Sequence, residues 1–217
     1  MTHDKTAVSL CEIPHLSITS KMPCYSFSLP ALTTCPTGRE LIKSPDSPCH
    51  HCYGLKGRAV FPVVKEKKFR NFVLFQDLKN FVAVLSDEIT KANCPLFRWQ
   101  DCGDIISLAH LEAINQICIN TPKIHHWLPT MEAEIVKRFL SDNQNFAENL
   151  TVRLSSKKVD RVPGYKWQFS SMIAKKRLLK NFNSKKYFVC QAKQWGGKCW
   201  SCTACWNFQG IIVYPIH

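Results

Sequence analysis

No run of about eighteen apolar residues occurs anywhere in this 217-residue chain, so no segment reads as a bilayer-crossing helix. The first thirty residues lack the basic-then-apolar layout of a signal peptide. Together these absences point to a cytoplasmic protein with no membrane partner. There is no internal repeat and no low-complexity linker, and the prolines scatter instead of marking one boundary, which excludes a repeat array and argues against two domains. One domain over residues 1–217 is the simplest organisation, with residues 1–20 as a loosely attached segment. Acidic residues are scarce: 16 Asp and Glu stand against 29 Lys and Arg, a formal net charge of +13. Such a balance favours nucleic acid or another polyanion as partner. Much of the excess lies in residues 65–70 and 175–186, where helical spacing would also make it a solvated face.

What the chain does have is ordinary globular composition, 45% hydrophobic and 21% charged, and twelve cysteines. A chain of this length buries a core without disulfide staples, and without an export signal reduced thiols are expected, so grouped cysteines point to metal. A cubane iron–sulfur cluster held by thiolates is net anionic, and part of the basic excess would offset it.

Short β-rich runs at 24–29, 96–100, 124–128, 150–154, 187–191 and 211–214 alternate with helical ones. Residues 64–90 carry apolar side chains at Phe69, Phe72, Val73, Leu78, Phe81, Val82 and Leu85, spacings of three and four that predict one helix face. Residues 107–118 and 131–140 read the same way, with Ser107 and Thr130 as N-caps and Glu132 and Glu134 in the first turn of the second. Residues 170–179 form a weaker helical pattern. The alternation predicts an α/β fold, a single-domain partial or distorted (β/α) barrel with a cysteine-rich metal-cluster site, too short for eight full units.

Cys199, Cys202 and Cys205 stand at successive spacings of three, with Cys190 nine residues upstream. A cysteine every third residue aims several thiolates at one point, as a compact polynuclear cluster requires, whereas structural zinc favours two separated pairs. Gly196 and Gly197 allow close backbone approach, and Trp195, Trp200 and Trp206 could shield the centre from water. Cys35, Cys49 and Cys52 form a second group after the first strand, with His50 and His51 inside the closing pair. Three thiolates could bind three irons of a cubane and leave one open, could close a zinc site with a histidine, or could share a site with the C-terminal group. Cys11, Cys24, Cys94, Cys102 and Cys118 show no ligand-like spacing. Asp101 and Asp104 flank Gly103 at the end of the second run, where they would orient a substrate, accept protons or simply make a turn with Asp104 capping the next helix. His125, His126 and His217 are further candidate ligands or acid/base groups.

These blocks resemble a known family. Lys21, Met22, Pro23 and Cys24 lead through Ser28, Leu29 and Pro30 to Cys35 and Pro36, then Cys49, Cys52, Tyr53, Lys56 and Gly57. Arg98, Asp101, Gly103 and Asp104 follow, then Val152, Arg153, Leu154 and Ser155. The finish is Cys190, Gly197, Lys198, Cys199, Cys202, Cys205 and Trp206, with Tyr214, Pro215 and His217. In this order they resemble the gene product 88 domain family of phage and mobile-element proteins, over nearly the whole chain. The cysteine loop after the first strand, ending in Cys52 and Tyr53, is similar to that of radical S-adenosylmethionine enzymes. The resemblance implies a viral or phage protein of the host cytoplasm, with a 4Fe–4S cluster on a barrel-like fold. The chain departs from the pattern in three ways. Cys35 and Cys49 are widely spaced, no Gly-rich cradle for the methionine end of the cofactor is evident, and Cys102 stands where the family has serine.

The expectation is therefore an iron–sulfur protein of viral type with radical or redox chemistry at an open face. Cys35, Cys49, Cys52, Cys190, Cys199, Cys202 and Cys205 would be the ligands, Asp101 and Asp104 the catalytic carboxylates, and Lys56 or Arg98 the anion contacts. S-adenosylmethionine is the attendant cofactor. A zinc-stabilised nucleic-acid module is one alternative, and a non-catalytic electron-transfer or redox-sensing iron–sulfur protein another.

Overall fold

The computed structural model describes residues 13–142, 145–164 and 166–216. Cys11 and His217, both raised above, lie outside the described residues. One eight-stranded sheet organises the molecule, in the order β1-β2-β3-β4-β5-β6-β8-β7. Its strands are β1 (Leu16–Ile18), β2 (Tyr25–Phe27), β3 (Leu96–Trp99), β4 (His125–Thr130), β5 (Leu150–Ser155), β6 (Phe169–Ala174), β7 (Tyr187–Val189) and β8 (Gly210–Pro215). Only β1 and β2 pair antiparallel, and every other neighbouring pair is parallel. A parallel sheet needs crossovers between strands. These are supplied by α1 (Pro36–Leu41), α2 (Pro62–Gln76), α3 (Leu78–Ala92), α4 (Leu108–Asn120), α5 (Ala133–Ser141) and a short α6 (Ala204–Asn207). The α/β expectation holds at the level of one mostly parallel sheet with helices. Among the described residues β1 and β7 remain edges, so strand pairing does not close the sheet into a barrel.

Helices α2 to α5 cover one face. Phe27 of β2 packs on Phe75 and Phe81 at ring-centroid distances of 6.3 and 5.4 Å, and on Trp99 at 6.2 Å. Leu85, Ile89, Leu111, Ile114, Ile117, Val136 and Phe139 complete the buried helical side. Ser107 caps α4 as expected, accepting from the His110 amide. The single helix expected over 64–90 is two. Asp77 ends α2 and caps α3 by accepting from the Asn80 amide at 3.2 Å. That break resets the helical phase, so α2 buries Lys68, Asn71, Leu74 and Phe75 while Phe69 and Val73 are exposed.

The weak helix expected over 170–179 is instead β6 followed by a single turn at Lys176–Asn181. Here tertiary pairing overrides local preference: β6 is held along its whole length by β8, and Ser171 meets Ser155 of β5 at 3.1 Å. The N-terminal segment enters the sheet at β1. There Asn71 donates to the His15 carbonyl and Glu88 pairs with the His15 ring at 2.7 Å.

Over the other face lies the C-terminal segment, tied down by Arg153 of β5. Its guanidinium is fully buried and donates to five backbone carbonyls, those of Ser170, Gly210, Cys205, Ala204 and Phe208, at 2.9 to 3.5 Å. That uses the whole five-donor fork of an arginine. Trp206 extends the docking by donating to the Phe97 carbonyl at 3.0 Å and meeting Trp127 edge-on. Replacing Arg153 by Met removes all five donors, although Ala204 keeps the Phe208 amide, and an ammonium has too few donors to replace the fork. Arg153→Met and Arg153→Lys are each expected to cost about 3 kcal/mol or more in urea unfolding of the reduced protein. A loss below about 1 kcal/mol for Arg153→Met would contradict this role.

Candidate metal centres and the face between them

All the cysteines among the described residues are free thiols. The first group sits on the loops that leave the carboxyl ends of β2 and β3. Cys35 precedes α1, while Cys49 and Cys52 lie on a 3-10 turn at Pro48–His51 and just after it. Two buried glycines make room for the sulfurs. A Cβ at Gly38 would stand 3.7 Å from the Cys49 sulfur and 3.8 Å from that of Cys35. A Cβ at Gly54 would stand 2.6 Å from the sulfur of Cys102 and 3.4 Å from that of Cys52. Cys102 thus belongs spatially to this group, and Cys35 lies within electrostatic reach of both Cys102 and Cys52. Burial pushes the Cys35 thiol up to about 12 and the Cys49 thiol up to about 11.

Cys102 is held there by interlocking of the two loops. The Leu29 amide donates to the Cys102 carbonyl at 2.8 Å and the Asp104 amide to the Thr34 carbonyl at 3.0 Å. Gly103, at φ +89°, packs so tightly that a Cβ would meet Leu29 and Thr34 at 2.6 Å. The two aspartates part company. Asp101 is half-buried and accepts from the Ser28 hydroxyl. Asp104 is buried and accepts from Thr130 Oγ1 at 2.6 Å and from the Ile105 and Met131 amides at 2.8 and 2.9 Å, so it joins the ends of β3 and β4 and caps no helix. Burial outweighs these donors and pushes its carboxyl up to about 7. Lys56 is exposed.

The second group encloses a small cavity lined by Cys190, Cys199, Cys202, Cys205, Trp195 and Trp206. The turn that presents it uses left-handed backbone at Gly196, Gly197 and Trp200 (φ +69°, +81° and +47°). The Cys199 amide donates to the Lys21 carbonyl at 2.8 Å, and Lys198 reaches the Ser20 carbonyl at 2.7 Å. Burial pushes the Cys199 thiol up to about 12, and Cys205 meets the Tyr214 hydroxyl at 3.3 Å. Cys24, which precedes β2, stands beside this group, within electrostatic reach of Cys199 and Cys205 and also of Cys94, which precedes β3.

Arg98 of β3 lies between the two groups. It reaches the Tyr53 hydroxyl at 3.4 Å, stacks 5.0 Å over Trp127, and has Asp101, Tyr214 and Cys205 as electrostatic neighbours. Its Nε, both amide atoms of Gln100 and the Trp127 indole nitrogen are buried without a hydrogen-bond partner among the described residues. Neither Arg98 nor Arg153 forms a carboxylate ion pair there. By contrast His126 is buried against Trp99 and Thr121, with burial pushing it down to about 3, and it faces neither cysteine group.

Among the described residues no three His, Cys, Asp or Glu side chains close into a set that would hold a single metal ion. Spacing signalled seven of the cysteines but neither Cys102 nor Gln100, which reach the centre only through the pairing of β2 with β3.

Gly54→Ala is expected to cost about 1–3 kcal/mol in urea unfolding, because the methyl meets the Cys102 sulfur and Ala31 together. An unchanged midpoint would contradict the packing. Asp104, raised above its ordinary 3.8, contributes stability that is full below that value and lost as pH rises to about 7. The stability of Asp104→Asn relative to the parent should therefore improve between about pH 4 and pH 8. A pH-independent difference would show that Asp104 is not raised.

Neither a curated protein nor a solved structure matches the chain. A family model described as gene product 88 matches residues 2–208, almost the full length. The chain belongs to the gene product 88 family.

Proposed function

We propose that this protein, of viral or phage type, binds iron–sulfur clusters at its two cysteine groups and carries out redox chemistry at the face between them. The observation that carries the reading is the concentration of cations at the thiols, Arg153 and Lys68 buried and Arg98 half-buried. Arg153 donates to the Cys205 and Ala204 carbonyls, Arg98 lies between the groups, and Lys68 is buried beside Cys102. Buried charge requires a counter-charge, and thiolates on a net-anionic cluster supply it.

The donor set fits such a group: four sulfurs line one cavity and four more converge across Gly38 and Gly54. Tetrahedral zinc, with Zn–S bonds of about 2.3 Å, draws its sulfurs to about 3.8 Å of one another. A cubane keeps its thiolates farther apart than a single zinc ion does. When bound, a cubane supplies one-electron transfer. Around it Asp101 orients polar groups, the orphaned Gln100 amide and Arg98 Nε offer hydrogen bonds to a bound ligand, and Lys56 is an anion contact at the rim. S-adenosylmethionine, which the similarity of the cysteine loop brings with it, would require an iron left open at the first centre.

The sheet is read here as a partial barrel. From β2 to β7 is six strand spacings, about 29 Å if flat. The nine steps from Cys190 to Cys199 span at most about 32 Å when fully extended. That segment is coiled by turns, among them Gly197 to Ala192, yet still reaches Lys21. The short reach supports a curved sheet.

Paired substitutions test the reading. Cys49→Ala/Cys52→Ala and Cys199→Ala/Cys202→Ala are each expected to remove about half of the iron and acid-labile sulfide per anaerobically loaded chain, as two separate cubanes require. Iron unchanged by both pairs, or zinc alone in the parent, would overturn it. A second reading, a zinc-stabilised nucleic-acid module, draws on the exposed Lys175, Lys176, Arg177, Lys180, Lys185 and Lys186. It requires nucleic-acid affinity that falls steeply with salt.

A further inference from the structure

We propose that Cys102 supplies a fourth thiolate to the Cys35, Cys49 and Cys52 centre, closing its cluster so that it carries electrons instead of binding a ligand at iron. This rests on the iron–sulfur reading above and assigns the chemistry of one of its two centres.

Three independent features place Cys102 there. Its sulfur and that of Cys52 press on the same glycine, and Gly54 is the residue that leaves space between them. The backbone around it is interlocked with the cysteine loop through Leu29, Thr34 and Gly103, so its position is set by the pairing of β2 with β3. Lastly, the ammonium of Lys68, only 6% exposed, lies within electrostatic reach of the Cys102 sulfur and donates to the Ala59 carbonyl at 3.1 Å. A buried ammonium on a neutral thiol is left without its counter-charge, whereas on an iron-bound thiolate it has one. Cys118 provides the contrast. It is equally buried, but it sits on α4 in the hydrophobic core and none of these features surrounds it.

Ligation replaces the S–H bond of Cys102 by an S–Fe bond and releases the proton to solvent, with no change of oxidation state. With a thiolate on every iron no site is left for S-adenosylmethionine, and the centre is of the four-cysteine electron-transfer kind. Lys68 places a positive charge near a ligating sulfur, and charge around a cluster tunes its potential.

The test uses the full chain loaded anaerobically with iron and sulfide, comparing the parent with Cys102→Ala and Cys102→Ser. Mild ferricyanide treatment is followed by low-temperature EPR and an iron count, and S-adenosylmethionine is added to dithionite-reduced samples. The parent is expected to show no three-iron signal and no perturbation by S-adenosylmethionine. Cys102→Ala is expected either to lose one iron from the first cubane and give the three-iron signal, or to lose that cubane whole while Cys102→Ser, whose oxygen can still ligate, retains it. A parent that yields the three-iron signal or responds to S-adenosylmethionine as strongly as Cys102→Ala would overturn the assignment while leaving the iron–sulfur reading intact. So would two variants indistinguishable from the parent. A parent without iron and sulfide would overturn both.

Discussion

The fold turns on one buried cation. Arg153 stands on a central strand with no carboxylate partner among the described residues, and five backbone carbonyls from β6, β8 and the α6 region solvate it instead. Ordinarily such a charge would be a liability. Here its five donors join carbonyls of β6 and β8 to those of the α6 segment, so guanidinium and segment depend on each other. Through that bond network the cysteine-bearing C-terminal stretch is pressed onto the sheet, and Trp206 continues the contact as far as β3.

From this constraint the distribution of charge follows. The helical face of the sheet is conventional, aromatic and aliphatic. The opposite face concentrates arginines and thiols, with Arg98 stacked on Trp127 and orphaned polar atoms nearby. Burial raises the Cys35 and Cys199 thiols and so favours their neutral form. Metal binding would reverse the balance by turning neutral sulfurs into the counter-charge the arginines lack. Folding and metal loading are then coupled, with the metal contributing its binding energy to the native state.

Much of this was legible in the amino-acid order, and the misses have physical causes. Hydrophobic runs marked six of the eight strands, because parallel strands buried on both faces read as continuous apolar segments. β6 escaped because Ser170 and Ser171 are buried by neighbours, which local propensity does not register. The break at Asp77 was hidden because its two helices share one apparent periodicity. Spacing revealed cysteines that share a loop, whereas Cys102 and Cys24 join the groups only through strand pairing. Asp104, adjacent in sequence to the open face, faces inward because Thr130 and Met131 claim both its oxygens.

The central claim is that the thiols hold iron and sulfide. Anaerobic purification, followed by a visible spectrum with iron, sulfide and zinc measured on the same sample, tests it most directly. A brown protein whose broad absorption bleaches with dithionite, with iron matched by sulfide, is the result required. A colourless protein that holds only zinc, and does not exchange it when iron and sulfide are supplied, would contradict the claim.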